Sequence, residues 1–133
     1  MSDAEFVEKF AALAIPPGEF HHREHIRLAF ALLAKHRDFA EAAVEFRRML
    51  RAFAAHHGAA ERYHETITWA YLAVVHERMA IADHASSVAF LAANPDLLDH
   101  KTALARYYDI GEITRSSLAR RVFVLPVARH DEP

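Results

Sequence analysis

The chain has 133 residues, of which 16 are basic and 18 acidic, for a formal net charge of -2. A chain of this length can bury one core, so we expect a single domain over residues 1–126 and a flexible tail over residues 127–133. The nearly balanced charge argues against binding to nucleic acid or to an acidic membrane surface, because both need an excess of basic residues.

Cysteine is absent from the sequence, which removes disulfides, thiolate metal ligands and cysteine nucleophiles and is compatible with a reducing cytoplasm. The first residues lack the basic and apolar regions of a signal peptide. No apolar run approaches the roughly 20 residues that a membrane helix needs. We therefore expect a cytoplasmic protein without a membrane partner.

The composition favours helix along the whole chain. Only 3 glycines and 5 prolines occur, alanine, leucine, glutamate and arginine are abundant, and no alternating β-branched run indicates a strand. The sequence therefore predicts an all-α fold. Ser2 and Glu5 match a capping box that opens a first helix ending near Ala14, before the Pro-Pro-Gly turn at residues 16–18. A second helix is predicted over about residues 21–36.

Two longer helices and several short ones are predicted to follow. Asp38 is a suitable cap for a third helix, which Gly58 closes, and a fourth helix covers about residues 61–83. Shorter helical segments are then predicted to begin at Ser86 or Ser87, at Pro95, and at Ser116 or Ser117. Without repeats or linkers, these elements most simply form one bundle of about four long helices with short C-terminal helices packed against one end.

The 11 histidines are unusually many for this length, and three of them open the second helix in the segment FHHREHI. At about 100° per residue, His22 and His25 project onto the apolar face of that helix. His21 with His25 is an alternative pair on the flank, because side chains four residues apart also meet. Glu24 projects to the opposite side.

The segment YHETITW opens the fourth helix with a second group of polar side chains. The same projection places His64 and Thr68 on the buried face, Glu65 at its border, and Tyr63 and Thr66 outward. A buried polar group without a partner costs about 1–3 kcal/mol. We therefore expect the polar side chains that face inward from these two helices to bind one another or a ligand.

Imidazole nitrogens and a carboxylate oxygen on facing helices suit a divalent transition metal where no thiolate is available. We predict a mononuclear site formed by His22, His25 and His64, with Glu65 as a further ligand, for zinc, iron, manganese or copper. The protein would then be a metal-dependent enzyme acting on a small molecule. Glu65 would serve as ligand or general base, and Thr68 would support His64 or contact the substrate. Without a metal, His64 and Glu65 could act as an acid-base pair.

Two other classes of protein fit the same residues. One is a non-catalytic binding or regulatory module in which the cluster holds a small ligand. The other is an interaction protein in which the cluster only organises the core, and a homodimer through a helix face suits a bundle of this size. A zincin peptidase is disfavoured, because H-E-x-x-H is absent where His64 and Glu65 are followed by Thr68. His56 and His57, just before Gly58, are typical of a helix C-terminus, where positive charge interacts favourably with the helix dipole.

The ordered motifs F-H-H-x-x-H, Y-H-E-T-x-T-W and, after a Tyr-Tyr pair, A-R-R-V-F-V-L-P resemble those of a family of small, uncharacterised bacterial all-helical proteins. The resemblance extends over nearly the whole chain, from Phe20 to Pro126, and implies a helical fold. No established activity, substrate or cofactor comes with it. It supports treating five residues as one site, namely His22, His25, His64, Glu65 and Thr68.

Overall fold

Eight α-helices and three short 3₁₀ turns make up the part of the chain that the computed structural model describes, residues 1–127 apart from the side chain of His100. The predicted all-α bundle is confirmed for these residues. The helices are α1 (Asp3–Ala11), α2 (His22–Lys35), α3 (Phe39–His56), α4 (Glu65–Ile81), α5 (Ser87–Ala93), α6 (His100–Leu104), α7 (Ile110–Arg115) and α8 (Ser117–Arg121). Beyond Val127, the predicted tail lies outside the described residues.

Local capping residues start three of the helices where the sequence predicts them. The Ser2 hydroxyl accepts from the Glu5 N–H, and the Glu5 carboxylate accepts from the Ser2 N–H, each at 3.1 Å, which completes the capping box of α1. The Asp38 carboxylate accepts from the Ala40 N–H at 2.9 Å and starts α3. Ser86 caps α5 in the same manner. Each of these caps satisfies a backbone N–H that the helix itself leaves free.

The chain reverses sharply between α3 and α4. Gly58 has φ +70°, a left-handed conformation that strains other residues, so α3 ends with His57 as its cap. A 3₁₀ turn at Ala60–Arg62 follows. The fourth helix therefore begins at Glu65, later than the predicted position near residue 61. The sequence also gave no indication of α7.

The helix α2 lies at the centre of the bundle, and α1, α3, α4 and α5 all pack against it. Its residues Ile26, Leu28 and Leu32 are completely buried. The helix α4 packs against α2 and α3 on one side and against α6 and α8 on the other. Because α4 has helices on two sides, it is buried over more than the single face expected from an amphipathic surface helix. None of the described helices combines the length and apolar character that a membrane crossing requires.

Candidate functional site

A cavity of about 400 Å³ lies between the first turns of α2, the second half of α3 and the first half of α4. Its walls are largely apolar and aromatic, with Phe20, Phe46, Leu50, Phe53 and Ile67 among the lining residues. Pockets that bind small molecules typically have volumes of roughly 300–1,000 Å³ and mostly apolar walls with a few polar groups. The volume of this cavity and its mostly apolar lining fall within those ranges.

Four of the five residues predicted to form a site line this cavity: His22, His25, His64 and Thr68. His64 and Thr68 are buried, His25 is half-buried and His22 is exposed. The ring centroids of His22 and His25 lie 6.3 Å apart. The fifth residue, Glu65, does not line the cavity. The structure thus brings the predicted histidines of two helices to one place and leaves out the predicted carboxylate.

His64 has a structural role at the start of α4. Its Nδ1 accepts a hydrogen bond from the Ile67 N–H at 3.1 Å, so an imidazole takes the place of the usual capping oxygen. Its Nε2 lies 2.8 Å from the backbone oxygen of Ile113 in α7. The neutral tautomer with its proton on Nε2 satisfies both contacts. Both ring nitrogens are therefore used within the protein.

The metal site stays a prediction. The described residues contain no group of three or more His, Asp or Glu side chains placed to hold a metal ion. To become a ligand, His64 would have to give up its hydrogen bond with either Ile67 or Ile113.

Glu65 binds other side chains of the protein. Its carboxylate accepts from Arg47 Nε at 2.9 and 3.0 Å and from the Tyr63 hydroxyl at 2.6 Å. Burial raises the pKa of Glu65, but the hydrogen bonds from Tyr63 and Arg47 outweigh it and hold the pKa below its ordinary value. An ionised carboxylate with these donors is a weak general base. It also fixes the phenol of Tyr63, which lines the cavity.

Two of the outward predictions for the fourth helix are wrong. Tyr63 is half-buried and lines the cavity, because it precedes α4 on extended backbone, where a helical projection does not apply. Thr66 is completely buried, because α8 and the segment after it cover this side of α4.

The hydroxyl protons on the inner wall of the cavity are also used within the protein. Thr68 Oγ1 donates to the His64 backbone oxygen at 2.7 Å. The Tyr71 hydroxyl donates to the Leu97 backbone oxygen, and burial raises the pKa of Tyr71. Thr68 and Tyr71 therefore have only lone pairs left to offer a ligand.

Sequence reasoning missed two basic side chains that line the cavity, His57 and Arg62. The predicted capping position of His57 is confirmed, because it is the C-cap of α3. Its Nε2, however, is buried without a hydrogen-bond partner among the described residues. Arg62 is exposed, and its guanidinium forms no hydrogen bond or ion pair with any other described residue. No local sequence signal marks either residue as part of a site, because the turn at Gly58 brings them there.

Burial lowers the pKa of His64, and the nearby positive charge of Arg120 lowers it further, against the opposing effect of the hydrogen bond with Ile113. In the unfolded chain the pKa of His64 is about 6.5. As the pH falls below this value, His64 is therefore protonated more fully in the unfolded state than in the folded state. The His64 contribution to the free energy of unfolding should be complete above pH 6.5. It should decrease as the pH falls toward the folded-state pKa, by at most about 1.4 kcal/mol per pH unit.

Urea titrations between pH 7.5 and 5 measure this contribution when the wild type is compared with His64→Asn, which retains a capping oxygen but does not titrate. The variant should lose less stability on acidification than the wild type. Parallel curves for the wild type and His64→Asn would contradict the lowered pKa of His64.

Comparisons of this chain with models of protein families, with curated proteins and with solved structures found no match in any of the three.

Proposed function

We propose that this chain is a small-molecule-binding protein and that the cavity between α2, α3 and α4 is its binding site. The observation that carries the proposal is a cavity of about 400 Å³ with phenylalanines 20, 46 and 53 in its walls. Histidines of α2, the C-cap of α3 and the N-cap of α4 surround them. Transfer of apolar ligand surface into such a cavity is favourable by about 25 cal/mol per Å². The polar groups would fix the orientation of the ligand.

The hydrogen bonds of the predicted catalytic residues favour binding over acid-base catalysis. Glu65 is held by Arg47 and Tyr63, and the Thr68 hydroxyl donates to a backbone oxygen. His64 has both ring nitrogens in use. A catalytic acid or base must exchange a proton with the substrate. His64 and Thr68 could do so only after breaking a bond inside the protein, and Glu65 does not line the cavity.

Filling the cavity should abolish ligand binding and leave the fold intact. Ala54 is half-buried and lines the cavity from α3, so Ala54→Phe places a ring in the space that a ligand would occupy. Binding of small aromatic probes such as 2-naphthol, followed by heteronuclear NMR, should weaken by more than about tenfold, equivalent to about 1.4 kcal/mol. Ala52→Phe adds the same ring at an exposed position of α3 outside the cavity and should bind as the wild type does.

Equal probe binding by the wild type and Ala54→Phe would overturn the proposal, as would NMR shifts confined to residues outside the cavity.

Elemental analysis of protein purified without an affinity tag tests the metal-dependent enzyme predicted from the sequence. A stoichiometric zinc, iron, manganese or copper ion that is lost in His22→Ala would favour that function instead. A homodimer and a cytoplasmic location, both expected from the sequence, stay predictions.

A further inference from the structure

We infer that the ligand of this cavity is a small aromatic carboxylate, with its ring against the phenylalanine wall and its anionic group bound by Arg62 and His57. This inference depends on the proposed binding function of the same cavity and specifies the chemical class of the ligand.

The charge of the lining selects the charge of the ligand. Among the described residues that line the cavity there is no aspartate or glutamate, whereas Arg62 carries a full positive charge and His57 has a ring nitrogen without a partner among the described residues. An ammonium group would find no counter-charge there. A carboxylate can accept two parallel hydrogen bonds from one guanidinium, the strong, charge-assisted arrangement. The lining therefore favours an anion over a neutral or cationic ligand.

The buried Nε2 of His57 indicates where the ligand's polar group binds. A buried polar nitrogen without a partner is costly, and nearly all such atoms in folded proteins have one. His57 Nε2 has none among the described residues. The hydroxyl protons of Thr68 and Tyr71 are already donated to backbone oxygens. With its proton on Nε2, His57 can donate to a ligand oxygen once its half-buried ring turns toward the cavity. Arg62 belongs to the 3₁₀ turn that follows the same chain reversal.

Adjacent aromatic rings favour an aromatic body for the ligand. The centroid of the Phe20 ring lies 4.8 Å from that of Phe53 and 4.0 Å from that of His25. The Phe53 ring in turn contacts the His57 ring edge-on, with centroids 4.5 Å apart. Aromatic pairs at such distances are stabilised beyond simple area burial. Because Phe53 directly contacts His57, a ligand ring on this wall would place an attached carboxylate near the His57 ring.

The test uses three compounds with one ring system and different head groups: 2-naphthoate, 2-naphthamide and 2-naphthylmethylamine. Dissociation constants are measured with the full chain by NMR titration at pH 7. The carboxylate should bind at least about tenfold more tightly than the amide, as expected for a charge-assisted hydrogen bond, and the amine should bind most weakly. Equal affinities for the carboxylate and the amide would overturn this inference and leave the proposed binding function intact.

Variants then test the two basic residues. Arg62→Gln and His57→Gln should each weaken 2-naphthoate binding by about tenfold or more and 2-naphthamide binding by less than about threefold. Arg48→Gln, at an exposed position of α3 outside the cavity, should match the wild type. Arg62 is exposed, so its variant remains a valid test if His57→Gln fails to fold. Unchanged naphthoate binding in Arg62→Gln would overturn the inference. Failure of all three compounds to bind the wild type would overturn the proposed function as well.

Discussion

Replacement of Thr66 by valine is expected to lower the free energy of unfolding by about 2–4 kcal/mol. Thr66 Oγ1 lies 2.7 Å from the Ala119 backbone oxygen and 2.8 Å from that of Val122, and it accepts from the Val124 N–H at 3.1 Å. The side chain is completely buried. Valine has nearly the same shape but no polar atom, so it would leave the buried oxygen of Ala119 and the partly buried backbone groups of Val122 and Val124 without this partner.

Urea unfolding measures the loss, and Thr114→Val is the matched control. The Thr114 hydroxyl is exposed and donates only to Ile110 within its own helix, at 2.6 Å, so its removal should change the stability by less than about 0.5 kcal/mol. Amide exchange should also show reduced protection after Ser117 in Thr66→Val, because Thr66 holds this part of the chain against α4. Equal losses in the two variants would contradict a special role for Thr66.

The position of Thr66 illustrates what helical periodicity misses. The projection of α4 from the sequence assumes one buried face, and on that assumption Thr66 points to solvent. Its partners lie 53 to 58 residues further along the chain, so no local pattern contains them. Caps such as Ser2 with Glu5 are three residues apart and are therefore readable from sequence alone.

The sequence predicted only the part of the cavity lining that comes from the starts of α2 and α4. His22 and His25 lie in the first turns of α2, and both line the cavity. His25 is half-buried as its projection onto the apolar face predicts, whereas His22 is exposed. His57 and Arg62 also line it, yet they flank the reversal at Gly58, where neither the period of a helix nor that of a strand applies. The sequence therefore predicted His22 and His25 as part of a site but did not indicate that Arg62 lines the same cavity.

The start of α4 was also missed, for a chemical reason. Serine, threonine, aspartate and asparagine are the usual caps, so His64 does not mark a helix start in the sequence. The second partner of its ring is the backbone oxygen of Ile113, 49 residues away in α7, a helix without a predicted start. His64 was instead predicted to be a metal ligand, because the sequence indicates a buried imidazole but does not reveal its distant hydrogen-bond partner.

Substitution of His64 by alanine is therefore expected to lower the free energy of unfolding by about 2–4 kcal/mol, since it removes the cap of α4 and leaves the Ile113 oxygen unpaired. Urea titration at pH 7.5, where the ring is neutral, measures the loss. His64→Asn should recover part of it, because asparagine is a good capping residue but is too short to replace Nε2 at the Ile113 oxygen.

His22→Ala distinguishes structural hydrogen bonding from ligand binding at His64. His22 lines the same cavity but is exposed at the start of α2, so its removal should cost less than about 1 kcal/mol. If His64→Ala were as stable as His22→Ala, the contacts with Ile67 and Ile113 would contribute little to folding. The His64 ring would then be free to rotate toward the cavity and to coordinate a metal ion, as the sequence predicted. A large loss in His64→Ala alone would instead mean that the ring is held in place by the fold.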